Sequence, residues 1–227
     1  MFSNAFKTMT AGILLIGFTA GQQVLSVSAQ AFDMARESIV WIEGTSTVNS
    51  FVCSTDDVAG SGVLSIDRNQ EAGSAAAPGP TSDPGTGRQA DTTSSDVSVH
   101  VPATRLDCGL PAMNRDLRES LKVDMQPTID FRLGRTELLA APEKNGGLYL
   151  LRAHGWLSLA GTERQIDVIL EGERTDTGTL RGWGSKDLRM SDFGIKPPSA
   201  LFGLVRAHDE ITVRFNFIAE PHGTAAK

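Results

Sequence analysis

Two cysteines and four histidines are the side chains of this sequence best suited to nucleophilic or metal chemistry. Cys53 and Cys108 lie far apart. A metal site would want more ligands at short spacing, and Cys108-Gly109 has none beside it. A lone catalytic thiol is the other alternative, and a single disulfide is the reading favoured in a secreted chain. His100, His154, His208 and His222 are scattered, with His208 in a turn signal and His222 near the C-terminus. His100 and His154 could share a strand face, and two imidazoles with a carboxylate can hold a metal. Isolated strand histidines are more often simply hydrogen-bonded, so no metal site is expected. The chain has no G-x-S-x-G elbow, no H-E-x-x-H and no G-x-x-x-x-G-K-[ST] loop. Asp192-Phe193-Gly194 spells the magnesium tripeptide of protein kinases, but nothing else matches that family, and it reads as a turn carrying an apolar anchor. No residue set argues for catalysis, and no cofactor is implied. A metal-assisted enzyme using His100 and His154 remains the weakest alternative.

The elements that would position these residues are strands. Apolar residues alternate with polar ones at Val97, Val99 and Val101, at Ile129, Phe131 and Leu133, and at Ile211, Val213, Phe215 and Phe217. Period two with one apolar face marks half-buried antiparallel strands. Leu148 to Leu159 is a longer strand that places Arg152, His154, Trp156 and Ser158 on one face, and Ile166, Val168 and Leu170 follow the turn Ala160-Gly161-Thr162. Further turn signals are Gly146-Gly147, Asp176-Thr177-Gly178 and His208-Asp209. Pro111 to Val123 breaks the pattern, with Met113, Leu117 and Leu121 four residues apart, as in a short amphipathic helix with Pro111 in its first turn. Many strands, one helix and no βαβ alternation indicate an antiparallel barrel or sandwich.

Composition bounds the partners. The net charge of −6 argues against a chain that tracks nucleic acid, and 6% aromatics argue against a base-stacking platform. Lys7, the apolar stretch from Ala11 to Ala20, and Val27 and Ala29 at the −3 and −1 positions read as a secretory signal (1–29) cleaved before Gln30. That stretch is too short for a spanning helix, which needs about 20 apolar residues. The expected location is therefore periplasmic or secreted. From Asp67 to Asp96 there is no Val, Ile, Leu, Met, Phe, Trp, Tyr or Cys, so 67–96 is expected to be a disordered insertion. The segment before it is too short to build its own core, which leaves one domain over 30–227 rather than two.

The residues also resemble a family. The segments Trp41 to Val48 (WIEGTSTV) and Phe51 to Cys53 (FVC) look like the entry strand pair of secreted YceI-like proteins. Val101-Pro102, Leu106 to Gly109 (LDCG), Met113 to Leu117 (MNRDL) and Pro127 to Phe131 (PTIDF) resemble that family's central block. Leu157 to Gly161 (LSLAG) with Thr162 and Arg164 resembles its β-turn-β segment. Met190 to Pro198 (MSDFGIKPP), Gly203 and Asp209 to Phe215 (DEITVRF) resemble its closing block. The order is kept from about Ser38 to Phe217, interrupted by the insertion. A departure stands at Asn49-Ser50-Phe51, where secreted members tend toward His-Asp-Trp.

The resemblance implies an eight-stranded, lipocalin-like barrel with one short helix near its mouth, enclosing an apolar cavity. It also implies non-enzymatic binding or carriage of a polyisoprenoid, such as a quinone tail, or another long-chain lipid. The candidate ligand-binding residues are Phe51, Val99, Val101, Met113, Leu117, Leu121, Phe131, Leu133, Met190, Phe193, Leu201, Val213 and Phe215. Met113 and the loop from Phe193 to Phe202 are expected at the mouth. The same residues would serve equally well as a solid core, because period two does not distinguish a packed interior from a hollow one. An envelope interaction module with a filled core is therefore the alternative function. Encounters with a membrane surface and a homodimer both stay open.

Overall fold

Strands with one apolar face must hide that face, and this chain does so by rolling its sheet into a closed barrel. The computed structural model describes residues 28–66, 93–142, 147–200, 202 and 204–222. Its strands are β1 (Ser28–Met34), β2 (Ile39–Ser46), β3 (Ser50–Thr55), β4 (Ala59–Ile66), β5 (Thr93–Pro102) and β6 (Thr128–Ala140). They continue as β7 (Tyr149–Leu159), β8 (Thr162–Arg174), β9 (Leu180–Arg189), β10 (Ser199–Ala200) and β11 (Val205–Pro221). One helix, α1 (Pro111–Ser120), and two 3₁₀ turns, Ala103–Arg105 and Met190–Phe193, complete it.

All strand pairs are antiparallel. β4 to β9 pair in sequence order, β9 pairs β11, and β11 pairs both β2 and β1 to close the ring. β1 and β2 are two halves of one bent strand, and β3 and β4 are two halves of the next, since β2 pairs β3 as β1 pairs β4. Counting each bent strand once gives an eight-stranded antiparallel barrel with one short helix. The bends are paid in side-chain hydrogen bonds. At the first, the fully buried Ser38 hydroxyl accepts from the Ile218 amide at 3.1 Å, replacing a lost ladder partner. At the second, the Thr55 hydroxyl accepts from the Asp57 amide at 3.0 Å.

The β7–β8 hairpin turns on Ala160 (φ 52°) and Gly161 (φ 83°), the two-residue geometry that suits right-twisted strands. The Phe51 ring lies over Gly44 on the neighbouring strand, where a Cβ would fall 2.3 Å from ring atom Cζ. The core has two parts. Leu106, Leu121, Leu157, Leu159, Met190, Phe193 and Ile195 plug the end of the barrel next to α1, and Val40, Val58, Val99 and Val101 pack along one wall.

Two expectations change. Residues 93–96 belong to β5, with Thr93 opposite Thr136 and Ser94 opposite Arg135, so the expected insertion 67–96 is too long at its C-terminal side. Backbone ladder groups pair whatever the side chains, and a polar stretch can extend a strand that a long neighbour is ready to accept. Residues 67–92, residues 1–27 of the expected signal (1–29) and Gly146 lie outside the described residues. The helix ends at Ser120, before the expected Val123, because Leu121 to Met125 form turns and Lys122 takes a positive φ of 53°.

Candidate functional site

Inward-facing residues of every strand except β4 line a cavity of about 640 Å³. That is far above a packing defect and within the range of sites that hold small ligands. Its wall is aliphatic and aromatic: Val97, Val99 and Val101 from β5, Ile129, Phe131 and Leu133 from β6, and Val213, Phe215 and Phe217 from β11. Next to β6 in the ring, β7 and β8 add Leu151, Ala153, Leu157, Val168 and Leu170. Phe215 and Phe217 stack with ring centroids 4.8 Å apart. Apart from Lys186, charged and polar lining gathers at the two ends. Ser46, Asn49, Asp116, Ser120 and Ser199 lie at the α1 end, while Thr136, Glu173, Arg174 and Arg181 lie at the other.

Helix α1 supplies Met113 and Leu117, and the turn that follows it supplies Leu121, as a partial cover. Its position is set by covalent and polar ties. A disulfide joins Cys53 of β3 to Cys108, and the backbone of Ser54 bridges that of Asp107 in both directions at 2.9 Å. Asp107 Oδ1 accepts from the Gly109 amide and from Asn114 Nδ2, each at 2.8 Å, and Asn114 Oδ1 accepts from the Cys108 amide at 2.7 Å. The Asn114 side chain and then the Gly109 amide hold the Asp107 carboxyl below its ordinary value. At the same end, Asp209 accepts from the hydroxyl and amide of Ser191, and these bonds lower it likewise.

Of the residues expected to bind ligand, Phe51, Val99, Val101, Met113, Leu117, Leu121, Phe131, Leu133, Met190, Val213 and Phe215 all line the cavity. Leu201 lies outside the described residues. Phe193 does not reach the mouth: it is 2% exposed and buried in the plug beside Met190 and Ile195. The turn around it explains why. Ser191 and Met190 carbonyls accept from the Gly194 and Ile195 amides, Gly194 takes a φ of 66°, and Arg164 Nε donates to the Asp192 carbonyl at 2.9 Å. The tight reversal drives the ring inward.

Sequence reasoning missed Tyr149, Leu151, Leu170 and Leu180, which also line the cavity. Their parity along β7, β8 and β9 was the available signal. It also missed Lys186, which sits two residues before inward-facing Leu188 in a polar-rich stretch.

The histidines do not converge. His100 Nδ1 pairs with Asp130 at 2.6 Å on the outer wall, His208 with Thr45 at 2.7 Å, and His222 with Asp33 at 2.6 Å. His154 is buried on the outer face, where Nδ1 meets Asp167 at 2.6 Å and Nε2 stands 3.5 Å from Glu137. Among the described residues no group of His, Cys, Asp and Glu has metal-holding geometry.

A family model described as a YceI-like domain matches residues 31–219. No curated protein matches the chain significantly. Among solved structures, Burkholderia cenocepacia BcnA aligns with a TM-score of 0.57 and 14% identity, over 83% of this chain and 100% of its own. A polyisoprenoid binding domain from Saccharophagus degradans, implicated in plant cell wall breakdown, aligns with a TM-score of 0.57 and 13% identity, over 85% and 99%. At these identities the likeness is one of fold.

Proposed function

The chain belongs to the YceI-like domain family, and from that premise we propose that its barrel binds or carries a polyisoprenoid or another long-chain lipid without chemically altering it. The observation that carries this reading is the ligand-sized interior cavity with its continuous apolar wall. Each methylene moved from water onto such a wall contributes about 0.8 kcal/mol, so a chain of a few isoprene units is held without polar contacts to its tail. Ordering the chain and losing its translational freedom offset part of that gain. The fold shared with a polyisoprenoid binding domain supports the same reading.

The setting we propose is the periplasm or the extracellular space. The disulfide suits an oxidising compartment, and the N-terminal sequence has the features of a secretory signal. Cleavage after Ala29 would trim two residues from β1 and keep Phe32, which is 3% exposed and pairs with both Gly62 and Pro221. N-terminal sequencing of the exported protein is expected to begin at Gln30.

The direct test of function is native mass spectrometry of protein purified without detergent, followed by solvent extraction. A lipid of several hundred daltons released in stoichiometric amount is the expected result. A bare mass, together with no thermal protection by added isoprenoid lipids, would sink the carrier reading and favour an interaction module.

A further inference from the structure

Away from its two ends, the described wall of the cavity carries a single charged side chain, Lys186. The inward positions of β9 are Leu180, Gly182, Gly184, Lys186 and Leu188. At a rise of about 3.3 Å per residue, Lys186 stands roughly 10 Å along the strand from Arg189 and roughly 20 Å from Leu180. It is therefore well inside the barrel.

Its surroundings are apolar. Across the β9–β11 ladder Lys186 faces Val213, with Leu188 opposite Ile211 on one side and Gly184 opposite Phe215 on the other. Gly184 makes room for the Phe215 ring, since a Cβ there would fall 2.8 Å from Cζ. The other charged groups of the lining have partners. Arg181 reaches Glu173 at 3.4 Å, Arg174 reaches Gln30 at 3.5 Å, and Asp116 meets Arg115 at 3.6 Å. Among the described residues the Lys186 side chain has neither an ion-pair nor a hydrogen-bond partner.

A charged ammonium facing an apolar wall is costly unless an opposite charge and hydrogen-bond acceptors meet it. Lys186 is half-buried and its ammonium has no partner in the described wall, so solvent meets it in the empty barrel, and a ligand that displaces that solvent must itself supply the compensating group. A neutral carbonyl would accept one hydrogen bond and leave the charge unbalanced. A carboxylate balances the charge and accepts through both oxygens.

We propose that Lys186 is the head-group contact for an anionic long-chain amphiphile, a lipid whose carboxylate meets the ammonium while its tail lies along the apolar wall. This rests on the lipid-carrier reading and specifies its ligand class.

The test compares palmitate, cetyl alcohol and farnesol for binding to delipidated full-length protein, by calorimetry, in wild type, Lys186→Met and Lys186→Arg. In wild type, palmitate is expected to bind at least about tenfold more tightly than cetyl alcohol, which has the same tail. Lys186→Met should remove that preference while leaving both alcohols bound, and Lys186→Arg should keep it. Thermal melting checks that both variants fold. Equal affinity for acid and alcohol in wild type, or an unchanged ratio in Lys186→Met, overturns the head-group role while the carrier reading stands. Failure of wild type to bind any of the three ligands overturns both.

Discussion

Replacing Cys53 and Cys108 together by alanine should cost this protein a large share of its stability. The bridge ties residues 55 apart in sequence, a closed loop for which chain entropy gives about 4 kcal/mol at 25 °C. A domain of this kind is stable by only about 5–15 kcal/mol, so the loss is not marginal. For a chain of this size it corresponds to a fall in Tm of roughly 8–16 °C. Residues 67–92 fall inside that loop, between the paired strands β4 and β5. Replacing 67–92 with a short glycine-serine turn would roughly halve the loop, yet loop entropy changes only logarithmically. The bridge should therefore lose only about 0.6 kcal/mol of its effect. Urea denaturation of four proteins decides the matter: wild type, the double alanine variant, the loop-shortened chain and the combination. A cost of several kcal/mol in both backgrounds, equal to within about 1 kcal/mol, is expected. A cost below about 1 kcal/mol in the full-length chain, or one that collapses when 67–92 is removed, would show that the bridge does not act by constraining the unfolded chain.

Other perturbations address the plug, the latch and the cavity. Phe193→Ala removes a nearly inaccessible ring from the α1-end plug and should cost about 3–5 kcal/mol in the same denaturation assay. Asp107 has a folded-state pKa lowered from its ordinary value of 3.8. Its contribution is therefore fully present above that value and is lost as pH falls through the lower folded one. Amide shifts of Gly109 and Asn114, followed by NMR, should move only below about pH 4, and Asp107→Asn should abolish the transition. Ala153→Phe projects a ring from β7 into the cavity, so it should leave the barrel folded and weaken lipid binding by at least about tenfold, measured as loss of co-purifying lipid.

Much of the wall was legible because it depends on a local rule. In a strand, successive side chains point to opposite faces, so the alternation at 97–101, 129–133 and 211–217 already divides inward from outward residues. The short helix was legible for the same reason, from its four-residue spacing. Phe193 was misplaced because its direction follows from the backbone reversal at Gly194 and from Arg164 on a different strand. The start of β5 was misread because apolar content marks burial, while pairing with β6 needs only backbone groups in register.

Sequence by itself determined the strand-rich composition, the inward set, the cysteine pair and the family resemblance. Each is a property of residue types at short range or in fixed order. Only the tertiary structure decided that the sheet closes through β11 onto β1 and β2, and that the interior is hollow. Closure depends on register between residues some 180 positions apart, as where the Ser38 hydroxyl meets the backbone of Ile218. Hollowness depends on whether the summed side-chain volume fills the ring those registers define. That same closure turns Lys186, an ordinary polar residue in the sequence, into an unpaired charge on the cavity wall.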